Sequence, residues 1–200
     1  MEFGGIEMES VIDIIQISLS AVIGLWLADF ATGCFHWVVD NYFNPKWPII
    51  GPHYIEPAHL HHDEAMYEFE LSTWITHLYI WTAVICVGLF FWAVGLMSLV
   101  IISACFFGFL TNIIHGWSHK RPEDNVPIVR FLQRLGLFQS TQHHTIHHGG
   151  NSDSHYCLLT DHINPILEMI GLWRFLDKLL SRIGIQKFWW ETSEVPSISP

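Results

Sequence analysis

The chain has 200 residues, half of them hydrophobic, and its 9 Lys and Arg against 19 Asp and Glu give a net charge of −10. It carries no basic stripe of the kind that binds a phosphate backbone, which argues against a nucleic-acid partner. Its four cysteines form no C-x-x-C pair, which excludes a zinc ribbon or a disulfide framework.

Three apolar stretches predict transmembrane helices. The chain has no charged residue from Leu78 to Leu110. Because about 20 apolar residues cross a bilayer, this run and its flanks are long enough for two spans joined by a tight hairpin. With an earlier stretch, the predicted spans are residues 11–30, 73–91 and 95–114.

The predicted fold is therefore an all-α integral membrane protein, with about three transmembrane helices and one histidine-rich cap. All Lys and Arg residues lie outside the spans, and with three spans they all fall on one side. The positive-inside rule then predicts an N-terminus outside or lumenal and a cytoplasmic C-terminus and cap. The acidic N-terminal segment argues against a signal peptide. The cap comprises residues 31–72 and 115–190, followed by a tail at 191–200.

Two segments of the cap show helical amphipathicity. Residues 127–138 place Arg130 and Arg134 four apart between apolar residues, and residues 165–183 repeat that design. Such helices lie in the membrane interface with cations toward anionic headgroups. Packing against the protein's own domain is the alternative for both segments.

Fourteen histidines are concentrated in short clusters beside the apolar stretches. Residues four apart lie on one face of a helix. This spacing recurs in His36/Asp40, His115/His119, His143/His147 and His144/His148. Helices that leave the bilayer side by side would direct such pairs into one pocket, and imidazole is the commonest metal ligand.

The candidate ligands fall into three sets, which differ in whether metal binding or ordinary hydrogen bonding explains them. The residues that the clustering assigns most strongly to a metal site are His36, His61, His62, His115, His119, His144, His147 and His148. For His59, His143, His155 and His162, ordinary hydrogen bonding is an equal alternative, and for His53 and His77 it is the preferred one. Asp29 is either a carboxylate that orients the His36 ring or a simple interfacial aspartate.

The number of nitrogens exceeds what a single zinc site uses, since catalytic zinc takes three protein ligands. Two metal ions with about four nitrogens each, plus one or two carboxylates, would account for it. The spacing leaves iron and zinc open, because imidazole suits both.

Five stretches resemble, in order, the motifs of the Kua/CarF family of membrane lipid desaturases. They are GCFHWVVDNY, IGPHYIEPAHLHH, TNIIHGWSH, HHTIHH and HYCLLTDHINPILEMIGLWRFLD, within residues 24–184. The resemblance implies an oxygen-dependent desaturase with two iron ions. In the ether-lipid branch of the family, the 1-O-alkyl chain of a plasmanyl phospholipid becomes the vinyl ether of a plasmalogen.

Position by position, the resemblance marks as site residues His36, Asp40, His61, His62, His115, His119, His143, His144, His147 and His148. It adds Asn112 as a residue behind the ligands. The chain departs from the family pattern at His59 and Leu60, where an Arg-Glu is common, and at Asp161 and His162, which replace a Gly-Trp. Asp161 and His162 are therefore further candidates at the cluster, and the exact lipid stays open.

We therefore predict a plasmanylethanolamine desaturase-like enzyme, in a bacterial inner membrane or the endoplasmic reticulum. The chain has no flavin, haem or dinucleotide motif, so an external donor such as cytochrome b5 or a ferredoxin would supply electrons. The nearer alternative is acyl-chain desaturation or hydroxylation at the same metals. The distant one is a zinc lipid hydrolase or a metal transporter, although transporter ligands would be expected near the bilayer midplane.

Overall fold

The structure, a computed structural model, describes residues 2–3, 6–63, 73–149 and 153–188, with only the backbone of residues 2–3, 6–7 and 73–76. The elements are β1 (Glu2–Phe3), β2 (Ile6–Glu7), α1 (Met8–Tyr42), a π-helix (Gly51–Ile55), α2 (Glu56–Leu60), α3 (Thr73–Ala93), α4 (Leu99–Phe109), α5 (Thr111–Ser118), a 3-10 turn (Pro122–Asp124), α6 (Pro127–Arg134), α7 (Thr141–His148), α8 (Ile163–Ile170) and α9 (Leu172–Arg182). β1 and β2 pair antiparallel. The remaining regular structure of the described residues is helical, as predicted.

The first helix, α1, is longer than the predicted span. Its 35 residues correspond to about 52 Å, more than a bilayer core needs, and it is long and apolar enough to cross a membrane. The apolar side chains of its first half are largely exposed; that of Ile14, for example, is 60% exposed. Such a surface suits contact with lipid. In the second half, Asp29 and His36 are buried and the Asp40 side chain is 8% exposed.

The next helices lie where the sequence predicts two spans and a hairpin. α3 ends at Ala93, and the chain turns through Gly95, which has a positive φ of 72°. The Ser98 side chain then caps α4 by accepting a hydrogen bond from the backbone N–H of Ile101. α4 approaches α1 so closely that a side chain at Gly24 would collide with Ser103.

A bend of 50° separates α4 from α5. Together α4 and α5 meet the length and apolarity of a membrane span, whereas the described part of α3 is a shorter apolar helix. Within the described residues, one helix therefore qualifies alone and a second span requires the bent pair. The apolar helices support a membrane protein, and the count of three spans stays a prediction.

The amphipathic segments of the cap form shorter helices than the sequence suggests. α6 ends at Arg134. The segment predicted as one helix over residues 165–183 is divided into α8 and α9 by Gly171, whose φ of 65° ends α8 in the left-handed conformation. Both units expose apolar residues, such as Phe131 and Met169, so interfacial placement remains a prediction.

Two apolar clusters form the core of the described residues. One joins Trp37 of α1 to Tyr156, Leu167 and Trp173. The other joins α1 to Ile114 and Leu159. Both use the buried segment 156–160, and this segment runs so close to α1 that a side chain at Gly33 would collide with Cys157. The core thereby holds α1 against the histidine-bearing part of the chain.

Candidate metal centre

Nine of the ten residues assigned by resemblance converge in two neighbouring groups. The first group, the five-histidine group, consists of His61, His115, His119, His144 and His148; the second, the carboxylate group, consists of His36, Asp40, His62 and His147. In each group, one potential ligand atom per residue lies within 4.8 Å of all the others. The two groups adjoin because His61 and His62, one from each group, are consecutive residues. Their ring centroids lie 4.4 Å apart.

Four side-chain nitrogens meet at the centre of the five-histidine group. The Nε2 atoms of His115, His119 and His144 are each 3.0 Å from the other two. The Nε2 of His148 lies 2.9 Å from that of His144. A neutral imidazole has only one N–H, so hydrogen bonds cannot satisfy all these contacts. A cation that accepts the lone pairs would satisfy them together.

The carboxylate group is arranged around a single oxygen. Oδ2 of Asp40 lies 3.1 Å from Nε2 of His36, 3.2 Å from Nε2 of His62 and 3.5 Å from Nε2 of His147. The other oxygen of Asp40, Oδ1, is buried without a hydrogen-bond partner among the described residues. Three imidazoles and one carboxylate are a donor set that suits iron and zinc alike.

Backbone carbonyls fix the orientation of several rings. Nδ1 of His36 contacts the carbonyl of Tyr156 at 3.0 Å, and Nδ1 of His147 contacts that of Ser154 at 2.7 Å. Nδ1 of His61 contacts the carbonyl of Ala58. A carbonyl accepts, so each Nδ1 carries the proton and each Nε2 presents a lone pair. Metal-binding histidines are held in this way.

Burial keeps the rings neutral. Loss of solvation, reinforced by neighbouring imidazoles, lowers the pKa of His119 and of His147 to about 4, although the Asp40 carboxylate opposes the decrease at His147. The same causes lower the pKa of His148 to about 2, and those of His61 and His144 well below the usual range. Near pH 7 these rings are therefore unprotonated, which ligation requires.

Asp29 acts on the site through the segment 156–160. Its carboxylate accepts hydrogen bonds from the backbone N–H of Leu159 at 2.7 Å and of Thr160 at 3.1 Å, and from the Thr160 hydroxyl. The carbonyl of Tyr156, in the same segment, is the contact of His36 Nδ1. Through these hydrogen bonds, Asp29 anchors the segment that orients the His36 ring.

The other sequence candidates lie around the two groups. His143 Nε2 contacts the side-chain amide of Asn164 at 3.2 Å, and the His143 ring lies 5.2 Å from that of His155. His162 accepts a hydrogen bond from Trp26. Asp161 accepts one from the backbone N–H of Ser140, which caps α7. None of these residues belongs to either group of described residues.

His59, the first departure from the family pattern, fastens two helices together. Its Nε2 lies 3.0 Å from the carbonyl of Val39, the residue before Asp40. The ring is 7% exposed. His59 therefore ties α2, which precedes His61 and His62, to the turn of α1 that carries Asp40.

An apolar cavity of about 380 Å³ ends at the histidines. Its walls come from α1, α3 and α4, and include Leu27, Val84, Val87, Phe91 and Ile101. His36 of the carboxylate group and His61 and His115 of the five-histidine group line it as well. On α3 the lining extends from Ile80 to Phe91, which corresponds to about 16 Å of helix.

Sequence reasoning missed three residues that support the site. Gln139 donates to the carbonyl of Cys157, and Asn164 both accepts from the N–H of Cys157 and donates to its carbonyl. Tyr156 contacts the rings of His36 and His147. Gln139 and Asn164 are fully buried. Polar residues beside the histidine motifs follow no periodic pattern that would single them out.

Comparison with known proteins finds one domain family and several relatives that the chain resembles. Residues 25–187 match the lipid desaturase domain family. A probable fatty acid desaturase of Acanthamoeba polyphaga mimivirus is 35% identical, over 84% of this chain and 84% of the relative. Plasmanylethanolamine desaturase 1 of Mus musculus is 28% identical over 86% of this chain and 67% of the relative. Plasmanylethanolamine desaturase of Myxococcus xanthus is 30% identical over 82% of this chain and 60% of the relative. No solved structure matches.

Two groups of residues that could hold metal ions thus border an apolar cavity. The chain belongs to the lipid desaturase family. It is therefore an oxidoreductase, which argues against the hydrolase and transporter alternatives.

Proposed function

We propose that this protein is an oxygen-dependent di-iron desaturase that converts the 1-O-alkyl chain of a plasmanyl phospholipid to the vinyl ether of a plasmalogen. The observation that carries the proposal is the apolar cavity bounded by histidines of both groups. A chain in this cavity would lie beside both metal sites and away from water. The plasmanylethanolamine desaturases among the relatives support the choice of an ether lipid.

The number and type of donors fit two metal ions. The five-histidine group would hold one ion and the carboxylate group the other. When bound, two irons reduced by an external donor supply the activation of oxygen that removes two hydrogens from adjacent carbons. The protein positions the ligands and the lipid and excludes water.

The close approach of the nitrogens supports a shared metal ion, and the choice of iron rests on the desaturase family. The Nε2 atoms of His115, His119 and His144 are 3.0 Å apart. One cation that accepts these three lone pairs would account for their approach.

The position of the metals along the cavity supports a reaction near the lipid headgroup. The histidines lie beyond the predicted spans, whereas Phe91 and Ile101, at the opposite end of the lining, flank the hairpin. We infer that the tail points toward the hairpin and the headgroup remains at the cap. In this arrangement the first carbons would be the part of the chain nearest to the metal groups, as vinyl-ether formation requires.

The cellular setting belongs to the same proposal. The metal site would face the cytoplasm, and the N-terminus the outside or lumen, in a bacterial inner membrane or the endoplasmic reticulum. The electron donor would be cytochrome b5 or a ferredoxin. The basic residues Lys120, Arg130 and Arg134 of the cap would suit an acidic donor.

Acyl-chain desaturation is the second candidate function. The mimivirus relative is named a probable fatty acid desaturase, and Arabidopsis thaliana has relatives named fatty acid desaturase 4-like. The cavity accommodates an acyl chain on the same terms as an alkyl chain. The metals and the cavity would be unchanged, and only the linkage of the chain to glycerol would differ.

Metal analysis and lipidomics test the proposal. Purified protein should contain close to two irons per chain and consume oxygen. Cells that express it should accumulate acid-labile vinyl ethers, and cells with the His147→Ala variant should not. A new acyl double bond would instead establish the second candidate. Stoichiometric zinc without oxygen consumption would refute both.

A further inference from the structure

The cavity contains a buried amide that the protein leaves unpaired. Asn112 lines the cavity on α5 and is only 4% exposed. Its Nδ2 has no hydrogen-bond acceptor in the part of the chain that the structure describes. A buried donor without an acceptor is costly to stability. The cost is recovered if a ligand in the cavity supplies the acceptor.

The neighbouring hydroxyls show how such groups are normally satisfied here. Thr32 and Thr111 also line the cavity. The Thr32 hydroxyl donates to the carbonyl of Asp29, and the Thr111 hydroxyl to that of Gly108. Each binds its own helix and requires nothing from the cavity. The Asn112 amide has no such bond, although it is next to Thr111 in sequence.

The location of Asn112 identifies which part of a lipid would meet it. Asn112 precedes His115 by one helical turn, and both line the same cavity. A hydrocarbon chain has no acceptor along its length. Its first acceptor is the oxygen that joins it to glycerol, an ether oxygen in a plasmanyl lipid and an ester oxygen in a diacyl lipid.

We propose that Asn112 donates a hydrogen bond to this linkage oxygen and thereby fixes how deeply the chain enters the cavity. The inference rests on the proposed function, because it takes the cavity to be the site of the lipid chain. Asn112 is then a positioning residue that determines where the double bond is introduced. Because the tail continues toward the hairpin, an oxygen held one turn from His115 leaves the first carbons as the part of the chain nearest to the metal groups.

Ligand binding to the purified full chain in detergent tests the inference without turnover. The probes are 1-O-hexadecylglycerol, its methylene analogue 1,2-icosanediol, and 1-palmitoylglycerol for the ester. A single hydrogen bond should make the wild type bind the ether about three- to tenfold more tightly than the methylene analogue. Comparison of ether and ester shows which linkage the site accepts better.

Asn112→Leu should abolish this preference by weakening the ether alone, while iron content remains that of the wild type. Asn112→Gln retains the amide and should restore part of the preference. Thr111→Val, next to it in the same wall, should keep the preference intact because its hydroxyl is committed to Gly108.

Equal binding of ether and methylene chains by the wild type would overturn the inference. So would an Asn112→Leu variant that weakens both chains equally, because that result indicates a structural role. If the wild type contains iron but binds none of the probes, the assignment of the cavity to lipid is refuted as well. If the wild type contains no iron but still prefers the ether, only the di-iron proposal is refuted.

Discussion

Asp29 and Thr160 are 131 residues apart in sequence, yet the Asp29 carboxylate accepts the Thr160 backbone N–H at 3.1 Å and its hydroxyl as well. With the bond from Leu159, one buried side chain satisfies three donors of a segment that has no helical or sheet bonding of its own. The position of Tyr156, and with it the ring of His36, depends on this anchor.

Asp29→Asn should therefore destabilise the fold and reduce metal occupancy. An amide keeps one acceptor oxygen and places an NH2 group where a second carboxylate oxygen accepted a hydrogen bond. The lost bond should cost about 1–3 kcal/mol. Thermal unfolding in detergent and iron content of the purified protein are the measurements. Asp13→Asn, at an exposed position on the same helix, is the matched control and should match the wild type in both.

The two metal groups should lose their metals separately. Asp40→Ala removes the oxygen shared by three histidines, and His119→Ala removes one of three nitrogens that are 3.0 Å apart. In each variant the iron content should fall from about two per chain toward one. Activity should decrease by about 100-fold or more, because loss of a residue behind the ligands alone typically costs 10- to 100-fold.

His53→Ala is the control for these variants because His53 is exposed and belongs to neither group. Iron should stay at the wild-type level in that variant. Retention of two irons in Asp40→Ala or His119→Ala would contradict the division of ligands between the two groups.

The membership of the groups shows how far the sequence could predict the site. The pairs His36/Asp40 and His115/His119 follow from helical spacing, and each pair does fall within a single group. In the stretch from His143 to His148, helical spacing predicts the pairs His143/His147 and His144/His148. The second pair does fall in the five-histidine group, whereas His147 joins the carboxylate group without His143. Periodicity defines faces of one helix, but only the packing of other helices decides which site each face meets.

Long-range contacts lay beyond sequence reasoning for the same reason. Asp29 was expected either to orient His36 directly or to lie idle at the interface, and its bonds go to Leu159 and Thr160. The division of residues 165–183 at Gly171 also escaped prediction, because the amphipathic pattern continues on both sides of the glycine. Local patterns predicted the helices of the apolar region, including the turn at Gly95.

Acid should destabilise the metal-free protein. The pKa values of His119 and His147 are about 4 in the folded state, below the value of about 6.5 for an unfolded histidine. Between these values the unfolded chain binds more protons, so stability is complete above pH ~6.5 and decreases as the pH falls toward 4. Below that range the contribution of these two residues stays constant.

The measurement is the melting temperature of the metal-free protein between pH 7.5 and 4.5. Replacement of the titrating ring in His147→Gln should reduce the slope, whereas His53→Ala should leave it unchanged. A melting temperature independent of pH would show that these rings are not held neutral by burial.

Filling the cavity should block the lipid and spare the metals. Ala83 lines the cavity on α3, so Ala83→Phe would occupy the space through which the chain passes. A ring in that space should weaken lipid binding by about tenfold or more, which corresponds to about 1.4 kcal/mol. Ile85→Phe adds a ring on the same helix at a position outside the cavity lining, and it should retain activity. Equal losses in the two variants would argue against this cavity as the lipid site.

For His143, the family resemblance and the geometry lead to different expectations. The resemblance marks it as a site residue, but its Nε2 meets the amide of Asn164 and it lies in neither group. We expect His143→Ala to keep the iron content of the wild type, and to lose activity within about tenfold through a looser contact between α7 and α8. Iron analysis and single-turnover product yield measure the two effects. Loss of one iron in His143→Ala, comparable to the loss in His119→Ala, would instead establish His143 as a ligand whose ring turns inward when the metal binds.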